Sequence, residues 1–245
     1  MTTQYDSIAK NYQKIKEMTI YQVLAHTFLF YVGDVKGKSV LDLACGDGFF
    51  TRQLKQRGAS RVVGVDISAE QLKLAKSHEN TNPLGIEYIQ SAVQALDKLG
   101  EFDLVVAGFL LNYAPTKAEL LKMCQIVYAN LKSGQRFVTL NNNAGKTIEF
   151  PPDAFAKYDV EEVPLAYPVK EGDIIRITTG PTEAKVQFDI YYYSRQTYTQ
   201  ALQQAGFSTV TWHNLILPLA YELERPFWDF LLQNPLSIVI ECQKP

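Results

Sequence analysis

The stretch Val40-Leu41-Asp42-Leu43-Ala44-Cys45-Gly46-Asp47-Gly48-Phe49-Phe50 decides the fold. An apolar run closes on a carboxylate, passes a Gly-x-Gly word and enters a helical pattern at the paired phenylalanines, so a buried strand turns sharply into a helix. At Gly46 and Gly48 the missing Cβ permits the turn and lets a ligand approach the backbone closely. A helix N-terminus behind such a turn accepts an anion, either a pyrophosphate or an amino-acid carboxylate. A nucleotide-like ligand is expected across the turn, and the turn alone leaves its identity open.

Three neighbouring residues narrow that identity. The dinucleotide fingerprint requires a third glycine for close helix packing, and Thr51 stands in its place. Asp42 offers a buried carboxylate suited to an ammonium group, which S-adenosylmethionine (SAM) carries and NAD lacks. Asp66 closes the run Val62-Val63-Gly64-Val65-Asp66, about 20 residues past the turn, where a carboxylate that grips a ribose belongs. An aspartate at a strand end also caps helices, a duty Ser68 could share.

Outward from this point, short β-branched runs alternate with longer helical stretches, the pattern of βαβ units around a parallel sheet. Strands are predicted near 39–43, 61–65, 87–90, 103–107 and 136–140. Helices are predicted near 50–57, 69–77 and 117–131, with Ser68 and Thr116 as N-caps. Two amphipathic helices, 7–16 and 20–32, precede the first strand. After Pro151-Pro152 the runs 173–178 and 185–192, around Gly180-Pro181, suggest a hairpin excursion longer than ordinary loops. A helix at 195–205 ends at Gly206, an αL cap, and strands near 209–213 and 237–242 flank an irregular segment holding Phe227 and Trp228. The expected fold is α/β: a doubly wound, Rossmann-like, seven-stranded, mostly parallel sheet with N-terminal lid helices and a β-hairpin insertion after the fifth strand. The corresponding parts are a lid (1–36), a core (37–145), a substrate cap (150–193) and a closing part of the sheet (194–245).

Composition bounds the function. A chain of 245 residues with 47% apolar content buries one good core. With 24 basic and 26 acidic residues, the formal charge of −2 gives no field that gathers polyphosphate, which points away from nucleic acid. Cys45, Cys124 and Cys242 form neither a metal pair nor a disulfide framework, and fit a reducing cytosol. The start Met1-Thr2-Thr3 has no leader pattern and no stretch reaches the roughly 18 apolar residues of a membrane span, so a cytoplasmic protein without membrane partners is expected, as monomer or homodimer. No His, Asp and Glu cluster has ligand spacing, and no metal is expected.

VLDLACGDGFF followed by VVGVDIS resembles the first two motifs of class I SAM-dependent methyltransferases, over roughly residues 38–141. The resemblance implies that Asp42, Ala44, Gly46 and Gly48 surround the methionine part of SAM, that Asp66 holds both ribose hydroxyls, and that Ile67 lies beside adenine. Where the family often has an acidic residue for the adenine amino group, this chain has Gln90-Ser91-Ala92-Val93, leaving Ser91 or backbone groups near Ala92 to serve. The opening Tyr5-Asp6-Ser7-Ile8-Ala9 with Tyr12 is similar to small-molecule members whose mobile helix closes over the cofactor. Gly108-Phe109-Leu110-Leu111-Asn112-Tyr113 stands where the family's fourth strand faces the methyl group. It lacks the Asn/Asp-Pro-Pro-Tyr word of base and glutamine methyltransferases. The C-terminal third resembles more narrowly the toxoflavin-type azapteridine N-methyltransferases.

These readings imply a methyltransferase that moves the methyl of SAM to a nitrogen or oxygen of a small, flat acceptor by in-line displacement, leaving S-adenosylhomocysteine. Candidate acceptor contacts are Asn112, Tyr113, Tyr191, Tyr193, Trp212 and Trp228, since aromatic faces stack on heterocycles. Alternating strand residues also bury one ring and expose the next with no ligand involved. Tyr113 and His213 are candidate proton acceptors. The rival readings are a non-catalytic SAM-binding regulator, a nicotinamide-dependent dehydrogenase and a protein or RNA methyltransferase.

Overall fold

The computed structural model describes residues 4–143, 145 and 148–245. Residues 1–3 of the expected lid and residue 144 of the expected core lie outside these. In chain order the larger elements are α1 (Ala9–Ile15), α2 (Thr19–Val32), β1 (Ser39–Leu43), α3 (Phe49–Gln56), β2 (Arg61–Asp66), α4 (Ala69–Thr81), β3 (Glu87–Gln90), β4 (Phe102–Gly108), α5 (Lys117–Ala129) and β5 (Leu131–Asn142). There follow β6 (Val160–Pro164), β7 (Ile174–Thr179), β8 (Val186–Tyr191), α6 (Arg195–Ala205), β9 (Thr209–His213), α7 (Arg225–Gln233) and β10 (Ser237–Gln243).

Seven strands form one sheet in the order β3-β2-β1-β4-β5-β10-β9. Pairing is parallel from β3 to β5, and β10 runs antiparallel to both its neighbours. The central strands are buried on both faces, as parallel strands between helical layers must be. Successive residues of β1 alternate between two cores: Val40 packs with α2 and α3, while Leu41 and Leu43 pack with α5 and α6. Asp103 pins β4 to β1 by accepting from the Ser39 backbone at 2.9 Å and hydroxyl at 2.7 Å. Bonds from Lys132 and Ser39 hold its carboxyl down at about 2. Strand order reverses between β1 and β4, and ligands of such sheets bind in the crevice at that switch point.

The predicted caps are present: Ser68 accepts from the Gln71 amide and Thr116 from the Glu119 amide. Two elements were not expected. The excursion after β5 is a three-stranded antiparallel sheet, β6-β7-β8, because Val160-Glu161-Glu162 pairs with β7 despite its adjacent acids. The segment around Phe227 and Trp228 contains α7, which starts with a proline in its first turn, a position where proline costs no hydrogen bond. Among the described residues no helix is long and apolar enough to cross a membrane.

Gly48 has φ +81°, and a Cβ there would lie 3.1 Å from Tyr88 Cζ and closer to its hydroxyl. The Tyr88 ring rather than the cleft thus requires a glycine at this place. Gly48→Ala should cost about 2–4 kcal/mol, from left-handed strain plus overpacking, read as a lowered urea midpoint with unchanged slope.

Candidate active site

The ends of β1 and β4 carry two non-glycine residues in the left-handed region, Ala44 at φ 57° and Phe109 at φ 64°. Each costs on the order of 1–3 kcal/mol and persists only where surroundings fix it. Here Cys45 N donates to Val65 O at 3.0 Å and Phe109 N to Leu140 O at 2.7 Å. The two bends open the strand ends around a cleft of about 420 Å³, lined by Ala44, Gly46, Asp66, Ile67, Ser91, Ala92, Phe109, Tyr113 and Tyr191, and by Tyr5, Tyr12 and Lys16 from the N-terminal segment.

Asp66 is the centre of this cleft. One carboxylate oxygen accepts from the Gly46 amide at 2.7 Å, the other from the Ser68 amide at 2.8 Å. Burial pushes its pKa up and these backbone donors oppose the shift. The ribose and capping readings of Asp66 are thus compatible, since the carboxylate already spans from the glycine turn to α4. Gln71 lines the cleft with both side-chain amide atoms buried and without a hydrogen-bond partner. Such orphaned groups fit a polar ligand that would satisfy them.

Asp42 and Gly48 do not line the cleft, contrary to the expectation that both touch cofactor. Asp42 lies beneath the turn and accepts from Thr51 Oγ1 at 2.6 Å, while its other oxygen has no partner. Burial pushes its pKa from 3.8 to about 7. Thr51, which fills the place of the third glycine, is therefore Asp42's partner.

The N-terminal segment closes over the cleft through four separate joins. Lys16 and Asp47 form an ion pair with side chains only 9% and 7% exposed. Asp6 accepts from Ser68 Oγ at 2.5 Å. The Gln4 side-chain amide donates to Asp189 O at 2.9 Å and accepts from Asp189 N at 2.8 Å, pairing with the edge of β8. The Tyr5 and Tyr113 hydroxyls share a hydrogen bond, and the rings of Tyr5 and Tyr12 meet edge to face at 5.1 Å. Sequence reasoning missed Lys16, Asp47 and Gln4, since no spacing rule pairs residues 31 or 185 positions apart.

Desolvation lifts the Tyr5 and Tyr113 hydroxyls well above 10 and Tyr12 to about 12. All three stay neutral phenols near neutrality. Tyr113 therefore meets Tyr5 as a neutral phenol, able to donate or accept a hydrogen bond.

A second chamber of about 80 Å³ adjoins the cleft. Tyr12, Tyr21, Phe109 and Tyr113 line both spaces. Beyond them its walls come from α1, α2 and β6 to β8, and its polar groups are Asn112, Asn142, Glu162, Thr179 and Ser237. Asn112 is buried with neither amide atom hydrogen-bonded, a cost of about 1–3 kcal/mol for each group left unmade.

Four candidates from the sequence lie elsewhere. His213, on β9, meets Glu241 at 3.0 Å and stacks on Tyr31 at 4.2 Å. Arg136 holds the same Glu241 at 2.9 Å. His213 lines neither space and is part of a sheet-edge hydrogen-bond network with Glu241 and Arg136. Trp212, beside it, donates to Thr199 Oγ1 at 3.3 Å and lies 5.2 Å from the Arg195 guanidinium. Tyr193 is buried edge-on against Tyr198 at 5.9 Å. Trp228 is buried, stacked on Tyr158 at 5.5 Å, and borders a different surface pocket. β8 ends at Tyr191, which lines the cleft, whereas Tyr193 lies beyond the strand end and packs into the core. Among the described residues no group of three or more His, Cys, Asp and Glu could hold a metal ion.

Residues 40–134 match the family described as "Methyltransferase domain". A ubiquinone biosynthesis O-methyltransferase of Acinetobacter baylyi is 33% identical over 118 residues, covering 46% of this chain and 48% of that protein. The chain thus spans about half the length of the curated relatives it matches. An S-adenosylmethionine dependent methyltransferase from Mesorhizobium loti superposes over 94% of this chain and all of its own, with TM-score 0.65 and 18% identity. The CcbJ methyltransferase of Streptomyces caelestis does so over 99% and 98%, with TM-score 0.69 and 16% identity. The fold is that of these methyltransferase structures, and residues 40–134 carry the sequence of a methyltransferase domain.

The raised Asp42 carboxyl has a measurable consequence. Its folded pKa lies above the unfolded value, so the folded state binds the extra proton and stability falls as pH rises from about 4 to about 7. The loss attributable to Asp42 is at most about 4 kcal/mol. Asp42→Asn should flatten this part of the curve and gain stability at pH 8, measured by urea unfolding at pH 5 and 8.

Proposed function

We propose that the protein is a SAM-dependent methyltransferase acting on a nitrogen or oxygen of a small aromatic or heterocyclic acceptor. The observation that carries this reading is Asp66. Its carboxylate closes β2, the strand beside β1, and is locked to Gly46, in a cleft that adjoins a second, partly polar chamber. A one-ligand nucleotide site needs no such second space.

The residues present fit SAM. Backbone around Ala44 and Gly46, with the N-terminus of α3, suits the methionine part; Asp66 suits the ribose hydroxyls; Ile67, Ser91 and Ala92 suit adenine. The dehydrogenase reading is opposed by Thr51, whose bond to Asp42 occupies the place of the packing glycine. SAM, when bound, supplies a methyl on a sulfonium that departs as a neutral thioether.

What the chain must add is alignment and exclusion of water. Tyr12, Tyr21, Phe109 and Tyr113 stand between the two spaces, and the reacting atoms would meet among them. Neutral phenols there position groups without adding charge. The joins through Lys16, Asp6, Gln4 and Tyr5 support the N-terminal segment as a lid closing the site. The curated relative's printed role on an oxygen supports an oxygen acceptor for this chain, although the matched share is about half of that protein. The formal charge of −2 favours a small acceptor over nucleic acid.

In calorimetry, SAM and S-adenosylhomocysteine should bind and NAD should not; NAD binding alone would overturn the reading. Asp66→Ala should weaken S-adenosylhomocysteine by at least about 100-fold, the loss of two charge-assisted hydrogen bonds. Deleting residues 1–16 should abolish methyl transfer while the remainder still unfolds cooperatively, and normal turnover by the truncated chain would refute the lid.

A further inference from the structure

We propose that the second chamber recognises a single ring bearing a hydrogen-bond donor and acceptor side by side, a lactam or amide-like edge, read by Asn112, Asn142 and Glu162. That this ring is the methyl acceptor rests on the function proposed above; the recognition does not.

The space is small. A volume of about 80 Å³, against the 10–15 Å³ or so that one water needs by this measure, takes one ring and little more. Most of its wall is apolar, with Ile15, Leu24, Ile177 and Ile190 among the contributors. A bare hydrocarbon ring would fill it and leave the polar groups unanswered.

Those polar groups are specific. Both amide atoms of Asn112 are buried without a hydrogen bond, and Asn112 sits on the turn directly after β4, between Phe109 and Tyr113. Asn142, at the end of β5, donates from Nδ2 to Glu162 Oε1 at 2.9 Å, and its own Oδ1 is buried without a partner. Ser237 faces Asn142 across the β5–β10 register and lines the same chamber. A side-chain amide presents one donor and one acceptor in a plane, which matches a ring edge that offers the converse pair. Glu162, on β6, accepts from Asn142 Nδ2 and so leaves Asn142 Oδ1 as the acceptor offered to the chamber. A site built on buried hydrogen-bonding groups rejects analogues that lack the partner far more strongly than an apolar pocket rejects a missing methylene.

The test uses the full-length protein without SAM and three probes of similar size: 2-pyridone, toluene and benzoate. By calorimetry 2-pyridone should bind at least about tenfold tighter than toluene, and benzoate should not bind. Asn112→Leu should bring 2-pyridone and toluene within about threefold of each other. Glu162→Gln, nearly isosteric, should weaken the preference for 2-pyridone by freeing the Asn142 amide to turn. The unfolding midpoint of each variant reports that it folds. Toluene or benzoate matching 2-pyridone, no binding of 2-pyridone, or a preference that survives both substitutions would overturn the proposal. S-adenosylhomocysteine failing to bind the wild-type protein would sink the methyltransferase reading alone, since the probe preference is measured without it.

Discussion

The bond from the Gly46 amide to the Asp66 carboxylate, 2.7 Å long, joins the loop after β1 to the end of β2. Much else at the site is placed from it. The same carboxylate reaches the Ser68 amide and so sets where α4 begins, while Ser68 in turn caps α4 and receives Asp6 from the N-terminal segment. A single buried anion therefore orients a turn, a helix start and the covering segment. Its pKa stays raised because burial outweighs the backbone donors that would lower it.

The covering segment is held by apolar packing, with Ile15 in the core and Tyr5 and Tyr12 against Phe188, and by polar joins beside it. Lys16 with Asp47, Gln4 with the β8 backbone, and the hydroxyls of Tyr5 and Tyr113 are polar joins to three different parts of the fold. Buried polar pairs are weak sources of net stability, yet breaking one partner alone is costly. Such joins favour one closed arrangement over many loosely packed ones. They also make the closed arrangement depend on the glycine turn, the excursion and the end of β4 all being in place.

Two nested spaces follow from this closure. The cleft is lined by backbone bends and the Asp66 carboxylate; the chamber is lined by β6 to β8 and by side chains at the sheet's far ends. Tyr12, Tyr21, Phe109 and Tyr113 belong to both. The rings there are neutral, and Phe109 is held in a left-handed conformation by its bond to Leu140. Strain of this kind survives where the surrounding sheet over-determines it, and it clusters at ligand sites.

The sequence by itself determined the sheet's central order of elements, the glycine turn, the roles of Ser68 and Thr116 as caps, and Asp66 as the carboxylate of the cleft. These are local: a period of two or 3.6 residues, a Gly-x-Gly word and a strand-end acid are written within a few positions of one another. It misplaced His213, Trp212, Tyr193 and Trp228, because a residue's type says what it could contact and nothing of which face or sheet edge it occupies. It also set Asp42 and Gly48 in the ligand's path, when Thr51 and Tyr88 are what each of them touches. Only the tertiary structure decided that Lys16 meets Asp47, that the Gln4 side chain pairs with the edge of β8, and that Asn112, Asn142 and Glu162 line one chamber. Those partners lie far apart along the chain, and only burial against a shared core brings them within reach.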